Sequence, residues 1–133
     1  MTPAGDFDPL LDDDDDLPTI TSIRMYEGRP SEQDLARMEP IDSVETSALG
    51  GVELTIVLEW AGGSGRHRLE FQVGMDDRHG GDVNTDASHS AVFRIASRQA
   101  SGVTPDNPRT YPIYFWWDGV PAGQRYLTVY RRR

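Results

Sequence analysis

Seven side chains able to ligate a cation fall between positions 76 and 89: Asp76, Asp77, His79, Asp82, Asn84, Asp86 and His89. Asp82-Val83-Asn84-Thr85-Asp86 places oxygens at alternate positions, as the opening of a calcium loop does, because a hard cation needs several oxygens on one tight turn. The sequence then departs from that loop, with Ala87 where glycine makes the sharp turn and Phe93 where a bidentate glutamate closes the shell. Asp82, Asn84 and Asp86 stand as a calcium candidate beside the simpler reading, a solvated turn. His79 and His89 lack the close spacing of a transition-metal pair.

Catalytic constellations are poorer still. Ser64 sits in Gly62-Gly63-Ser64-Gly65-Arg66, which lacks the last glycine of a nucleophile elbow. The same stretch is no phosphate loop, since neither a lysine nor a helix follows. His67 falls on the apolar face of its strand and is expected to stack on Trp60. No enzyme is expected.

Two further groups are suited to binding. The first is an acidic arm, residues 1–18, in which Asp6, Asp8, Asp12, Asp13, Asp14, Asp15 and Asp16 stand with no base before Arg24. The chain has 22 acids and 13 bases, so the fifteen acids outside the arm nearly balance the bases. Blocks of like charge repel, stay extended and serve as interaction tails. Phe7, Leu10 and Leu11 interrupt the acids, and a tail kept only for solubility has no use for them. The second group is aromatic. Seven of the twelve Phe, Trp and Tyr residues lie between Tyr111 and Tyr130. Strand alternation puts Ile113, Phe115, Trp117, Leu127 and Val129 on one face and Tyr114, Trp116, Tyr126 and Tyr130 on the other. The second face is either covered by the arm or by a helix at Ser31–Met38, or it binds a protein or a sugar.

These residues need a scaffold of strands. Thr19–Tyr26, Ile41–Ser47, Val52–Trp60, Arg66–Met75, Ala91–Ala96, Tyr111–Trp117 and Gln124–Tyr130 read as strands from their alternation and β-branched content. Ser31 and Asp34 form a capping pair for a short helix that Pro40 stops. Val52–Trp60 and Arg66–Met75 are expected to form an antiparallel hairpin across Gly62–Gly65. Their apolar residues meet if Leu58 faces Leu69, Ile56 faces Phe71, Leu54 faces Val73 and Trp60 faces His67. Met75 to Ser90 reads as a polar connection, and Asp118 to Gly123 as the loop of the last hairpin.

The expected fold is all-β, an immunoglobulin-like antiparallel β-sandwich of about seven strands with one short helix and an extended acidic N-terminal arm. A single domain covers 19–133. The Gly65-Arg66-His67 turn and the late Gly123-x-x-Tyr126 strand resemble the immunoglobulin-like accessory domains of bacterial and phage proteins over residues 50–130. That resemblance implies a fold and assigns no functional residue.

Composition narrows the function. All thirteen bases are arginine, which points to a high-GC genome. Net acidity argues against nucleic acid, since phosphate binding needs a positive footprint. No apolar run is long enough for a membrane span and no signal peptide is read. The absence of cysteine excludes disulfides and thiolate chemistry. The expectation is a non-enzymatic structural or interaction protein, located in a virion or in bacterial cytoplasm. It would dock on a protein partner or on further copies of itself through the arm and the aromatic hairpin, as a phage capsid or tail accessory protein does. The alternatives are a carbohydrate- or calcium-binding module and a cytoplasmic regulator.

Overall fold

The computed structural model describes residues 17–46, 51–74, 77–97 and 99–132. It is mostly β. The strands are β1 (Thr19–Glu27), β2 (Ser43–Glu45), β3 (Val52–Ala61), β4 (Arg66–Val73), β5 (His79–Asn84), β6 (Ser90–Ser97), β7 (Arg109–Trp117) and β8 (Val120–Tyr130), with one short helix, α1 (Glu32–Leu35). No helix among the described residues is long and apolar enough to cross a membrane.

Two sheets share the core. The small sheet has the order β1-β3-β6 and the large one β2-β8-β7-β4-β5. The large sheet curls into a half-barrel. All neighbours are antiparallel except β2 and β8, which run parallel. Among the described residues eight strands thus stand where about seven were expected, and one pair departs from the antiparallel rule. Met25, Leu54, Ile56, Leu58 and Trp60 of the small sheet face Leu69, Ile113, Phe115, Trp117, Leu127 and Val129 of the large one, all buried. Each follows the alternation of its strand, which turns every second side chain inward.

The expected β3–β4 hairpin does not form. β3 pairs with β1 and β6, and β4 with β5 and β7. Gly62, Gly63 and Gly65, all with positive φ, carry the chain from one sheet to the other. Alternation could not separate the two outcomes: the apolar residues of both strands face one core whether they lie side by side or across from each other. The partners of Leu58 and Leu69 are therefore Ile23 and Ala91, and Trp117 and Gly81.

Three boundaries also differ. β5 lies in the stretch read as a connection; it contains two glycines and only one apolar side chain, so nothing marked it as a strand. The final hairpin turns on Asp118-Gly119 alone, both at positive φ, and extra Ala122 makes a bulge opposite Phe115 and Trp116. Asp-Gly is the pair favoured in tight hairpin turns, because both central residues must adopt φ > 0. Ile41 makes an isolated bridge to Met25, and β2 begins only at Ser43. Ser47 and Met75 lie outside the described residues. In α1 the Ser31 hydroxyl accepts the Asp34 N–H, as the capping pair predicts. The helix then ends at Leu35 and buries no residue.

Candidate functional site

The face of the large sheet turned away from the core carries the aromatic cluster. Tyr114 and Trp116 alternate with Phe115 and Trp117 on β7, so they point outward while the latter are buried. Their rings lie 5.9 Å apart. Tyr126 of β8 stands opposite Pro112, two positions along the ladder from the pair Tyr114 and Gln124, and the Gln124 side chain donates to its hydroxyl at 3.2 Å. Tyr114 is 36% exposed and Tyr126 55% exposed. The described helix does not cover this face, having no buried residue of its own.

Tyr130 shares the alternation but not the cluster. It lies at the far end of β8, opposite Glu45 of β2, and its carbonyl accepts the Thr46 N–H. Arg132 and Glu45 pair beside it at 3.4 Å. Phe7, Leu10, Leu11 and Asp12 to Asp16 lie outside the described residues.

One member of the cluster was not legible. The Arg78 guanidinium carbon sits 3.7 Å from the centre of the Trp116 ring, within the range of a cation–π contact. Arg78 precedes β5, and β5 reaches β7 only through β4, in which Glu70 faces both Gly80 and Trp116. Without β5 in the sheet, nothing in the sequence brings Arg78 to Trp116.

The calcium candidates are arranged differently. Asp82 stands in β5 opposite Arg68. Asn84 ends β5 opposite Arg66 and Asp86 lies in the turn that follows; the Asn84 side-chain oxygen accepts the Asp86 N–H, and Asp86 accepts the Gly65 N–H. These oxygens hold the turn against the glycine crossover. Among the described residues, no group of three or more His, Asp or Glu side chains could hold a metal ion; Asp76 lies outside them.

His67 does not stack on Trp60. Its ring meets Trp117 edge-on at 6.4 Å. Nδ1 donates to Asp118 Oδ2 at 2.6 Å and Nε2 to the Ser64 carbonyl at 2.8 Å. Both nitrogens are thus engaged, and Ser64 contributes its main chain to this contact. Burial opposes ionisation of Asp118, but the Arg68 amide and the His67 ring outweigh it and hold the carboxyl below its ordinary range.

Comparison with protein-family models, with curated proteins and with solved structures finds no match for this chain.

Proposed function

We propose that this is a non-enzymatic interaction protein that docks a partner protein on the outer face of its large sheet. The observation that carries the proposal is the pair of exposed rings Tyr114 and Tyr126 beside half-buried Trp116, on a sheet whose inner face already fills the core. Large rings with polar tips give contact area at low entropic cost and are enriched at protein interfaces. A sugar would need an open ring to stack on, and Arg78 lies over one face of Trp116. That favours a protein partner over a glycan.

The domain is proposed to be immunoglobulin-like. If β1, β3 and β6 are taken as strands A, B and E, and β4, β5, β7 and β8 as C, C′, F and G, the orders A-B-E and G-F-C-C′ follow. In its narrower form the partner is a phage virion component from a high-GC host, a reading that rests on the all-arginine bases and the acidic arm.

The test is affinity capture from the native source with wild type and with Trp116→Ala/Tyr126→Ala, both checked for equal melting temperature. A protein held by wild type and lost by the variant supports the proposal; equal recovery by both overturns it. A locus away from phage structural genes would remove the virion form.

A further inference from the structure

On the β6 side the small sheet stops one strand before the large one. Gly123 of β8 lies beside Ile20 and Ile23 of β1. Trp117 of β7 meets Trp60 of β3, and Phe71 of β4 meets Phe93 of β6 at 4.6 Å. β5 follows β4, whereas the small sheet ends at β6. Among the described residues no strand therefore lies over β5. The residues of β5 that pair with inward Leu69 and Phe71 are Gly81 and His79, and Val83 shares their face. His79 and Gly81 are exposed, Val83 is half-buried, and a Cβ on Gly81 would meet nothing within 4 Å. On β6 the inward residues Ala91, Phe93 and Ile95 are only half-buried, while Leu54, Ile56 and Leu58 beside them on β3 are fully buried.

The main chain of β6 is open on the same side. Residues of an antiparallel strand direct their N–H and C=O alternately toward one neighbour and the other. The Trp60 N–H donates to the His89 carbonyl at 3.0 Å, so His89 faces β3. Along the unbroken β3–β6 register, Ala91, Phe93 and Ile95 then face β3, and Val92, Arg94 and Ala96 face away from it. Among the described residues nothing pairs with the main chain of these three.

Exposed edges are usually blunted by shortness, charge, proline or a bulge, because they invite another strand. β5, at the neighbouring edge of the large sheet, is six residues long and carries Asp82 and two glycines. β6 has eight residues, a single charge, no proline and no bulge. It is an edge left ready to pair.

We infer that the free edge of β6 receives one extended segment of a partner protein, added as a fourth strand of the small sheet over β5. The N–H and C=O groups of Val92, Arg94 and Ala96 supply the ladder, as in other cases of strand addition. Alternation sets the chemistry of the segment. Its inward side chains meet Phe93, Ile95 and the open space at Gly81, and are apolar. Its outward residue opposite Arg94 is acidic. Arg94 donates to the Pro30 carbonyl at 2.7 Å, a neutral acceptor, and among the described residues it has no acidic partner. A second folded copy fits this edge poorly: β5 extends under the added strand, and a copy joined edge to edge would drive its own β5 into the same space. The site lies on the small sheet and is independent of the outer aromatic face of the large one.

The test is amide hydrogen exchange and NMR titration of the full chain with the peptide acetyl-Thr-Val-Glu-Val-Thr-amide, whose valines share one face and whose glutamate lies on the other. In the free protein the amides of Val92, Arg94 and Ala96 should exchange at least roughly tenfold faster than those of Phe93 and Ile95. Peptide at up to roughly 1 mM should slow the three and shift their resonances. Lysine in place of the peptide's glutamate should weaken binding about threefold or more, since like charges then stand opposite. Val92→Pro removes an N–H that faces the free edge and leaves the β3 ladder whole, so it should melt like wild type and lose the response. Protection of the three amides in the free protein would overturn the assignment, by showing the edge already covered. No response of wild type to the peptide, which needs no variant to read, would overturn it too, as would an equal response in a folded Val92→Pro. Equal binding of the two peptides would overturn the acidic preference.

Discussion

His67 Nδ1 and Asp118 Oδ2 lie 2.6 Å apart, joining the start of β4 to the β7–β8 turn. Asp118 closes the link twice more: its Oδ1 accepts the Arg68 N–H and its own N–H donates to the Arg68 carbonyl, each at 2.8 Å. The other ring nitrogen meets the Ser64 carbonyl. Two acceptors on one imidazole are both satisfied only when the ring is doubly protonated. The glycine crossover, β4 and the last hairpin are thus pinned at one His–Asp contact beside Trp117.

This pair gives stability a pH dependence. Asp118 is held below its ordinary 3.8 in the fold, so its contribution is present above that value and is lost as pH falls through the folded value. Asp118→Asn keeps a side-chain oxygen for Arg68 and tolerates the positive φ. It should lower stability near neutral pH by about 1 kcal/mol, the worth of a charge-assisted bond reduced for partial exposure. Urea unfolding at a series of pH values checks this. The difference from wild type should narrow as pH drops below 3.8, and a difference constant with pH would refute the charge argument.

What the sequence revealed divides along physical lines. Which residues go inward was legible, because alternation alone decides it: Phe115, Leu127 and Ile56 are buried as expected. Which strands pair was not. Leu58 and Leu69 lie inward in a hairpin and in two facing sheets alike, so only the strand pairing itself reveals the crossover. Edge strand β5, polar and glycine-rich, gave no signal, and Arg78 was missed with it. The outward set Tyr114, Trp116 and Tyr126 was legible for the same reason as the core. His67 was not, because its partner Asp118 lies 51 residues away on a turn whose length was misread.

The crossover itself can be probed at two adjacent glycines. Gly62 and Gly63 have nearly equal φ, 74° and 80°. A Cβ on Gly62 meets nothing within 4 Å, whereas one on Gly63 would lie 2.7 Å from Pro18 Cγ. Gly62→Ala should cost about 1 kcal/mol, the left-handed backbone penalty alone. Gly63→Ala should cost a further 1–3 kcal/mol or so for displacing buried Pro18. Thermal unfolding of both variants measures the difference, and equal losses would mean that Pro18 yields freely.

The two inter-sheet tryptophans should respond unequally to the same change. Trp60 and Trp117 pack edge to face at 5.2 Å across the core. Trp60 Nε1 donates to the Ser88 carbonyl at 3.0 Å, while buried Trp117 Nε1 has no partner. Trp→Phe leaves a void at either site. At position 60 it also strips a carbonyl of its donor; at position 117 it removes a donor that was desolvated without compensation. Trp60→Phe should therefore be the more destabilising by about 1–2 kcal/mol. Chemical denaturation of the two single variants decides it, and the reverse order would place a hydrogen-bond partner at Trp117.

The outer aromatic face should be dispensable for folding. Tyr114 and Tyr126 are exposed and their strands are held by ladders on both flanks, or, for β8 at Tyr126, by β7. Substitutions at exposed positions usually stay within about 0.5 kcal/mol, so Tyr114→Ser and Tyr126→Ser should fall in that range. Phe115→Ala, one residue from Tyr114 but facing inward, should cost about 3–5 kcal/mol. Arg78→Ala is intermediate: it frees one face of Trp116 and forfeits a cation–π contact worth about 0.5–1 kcal/mol. It should also change the Trp116 emission, which Trp116→Phe would isolate by difference. Urea midpoints with tryptophan fluorescence read both effects. A loss of 2 kcal/mol or more for either tyrosine would exceed this range and would mean that the face is part of the folded core, removing the reason to see it as a docking surface.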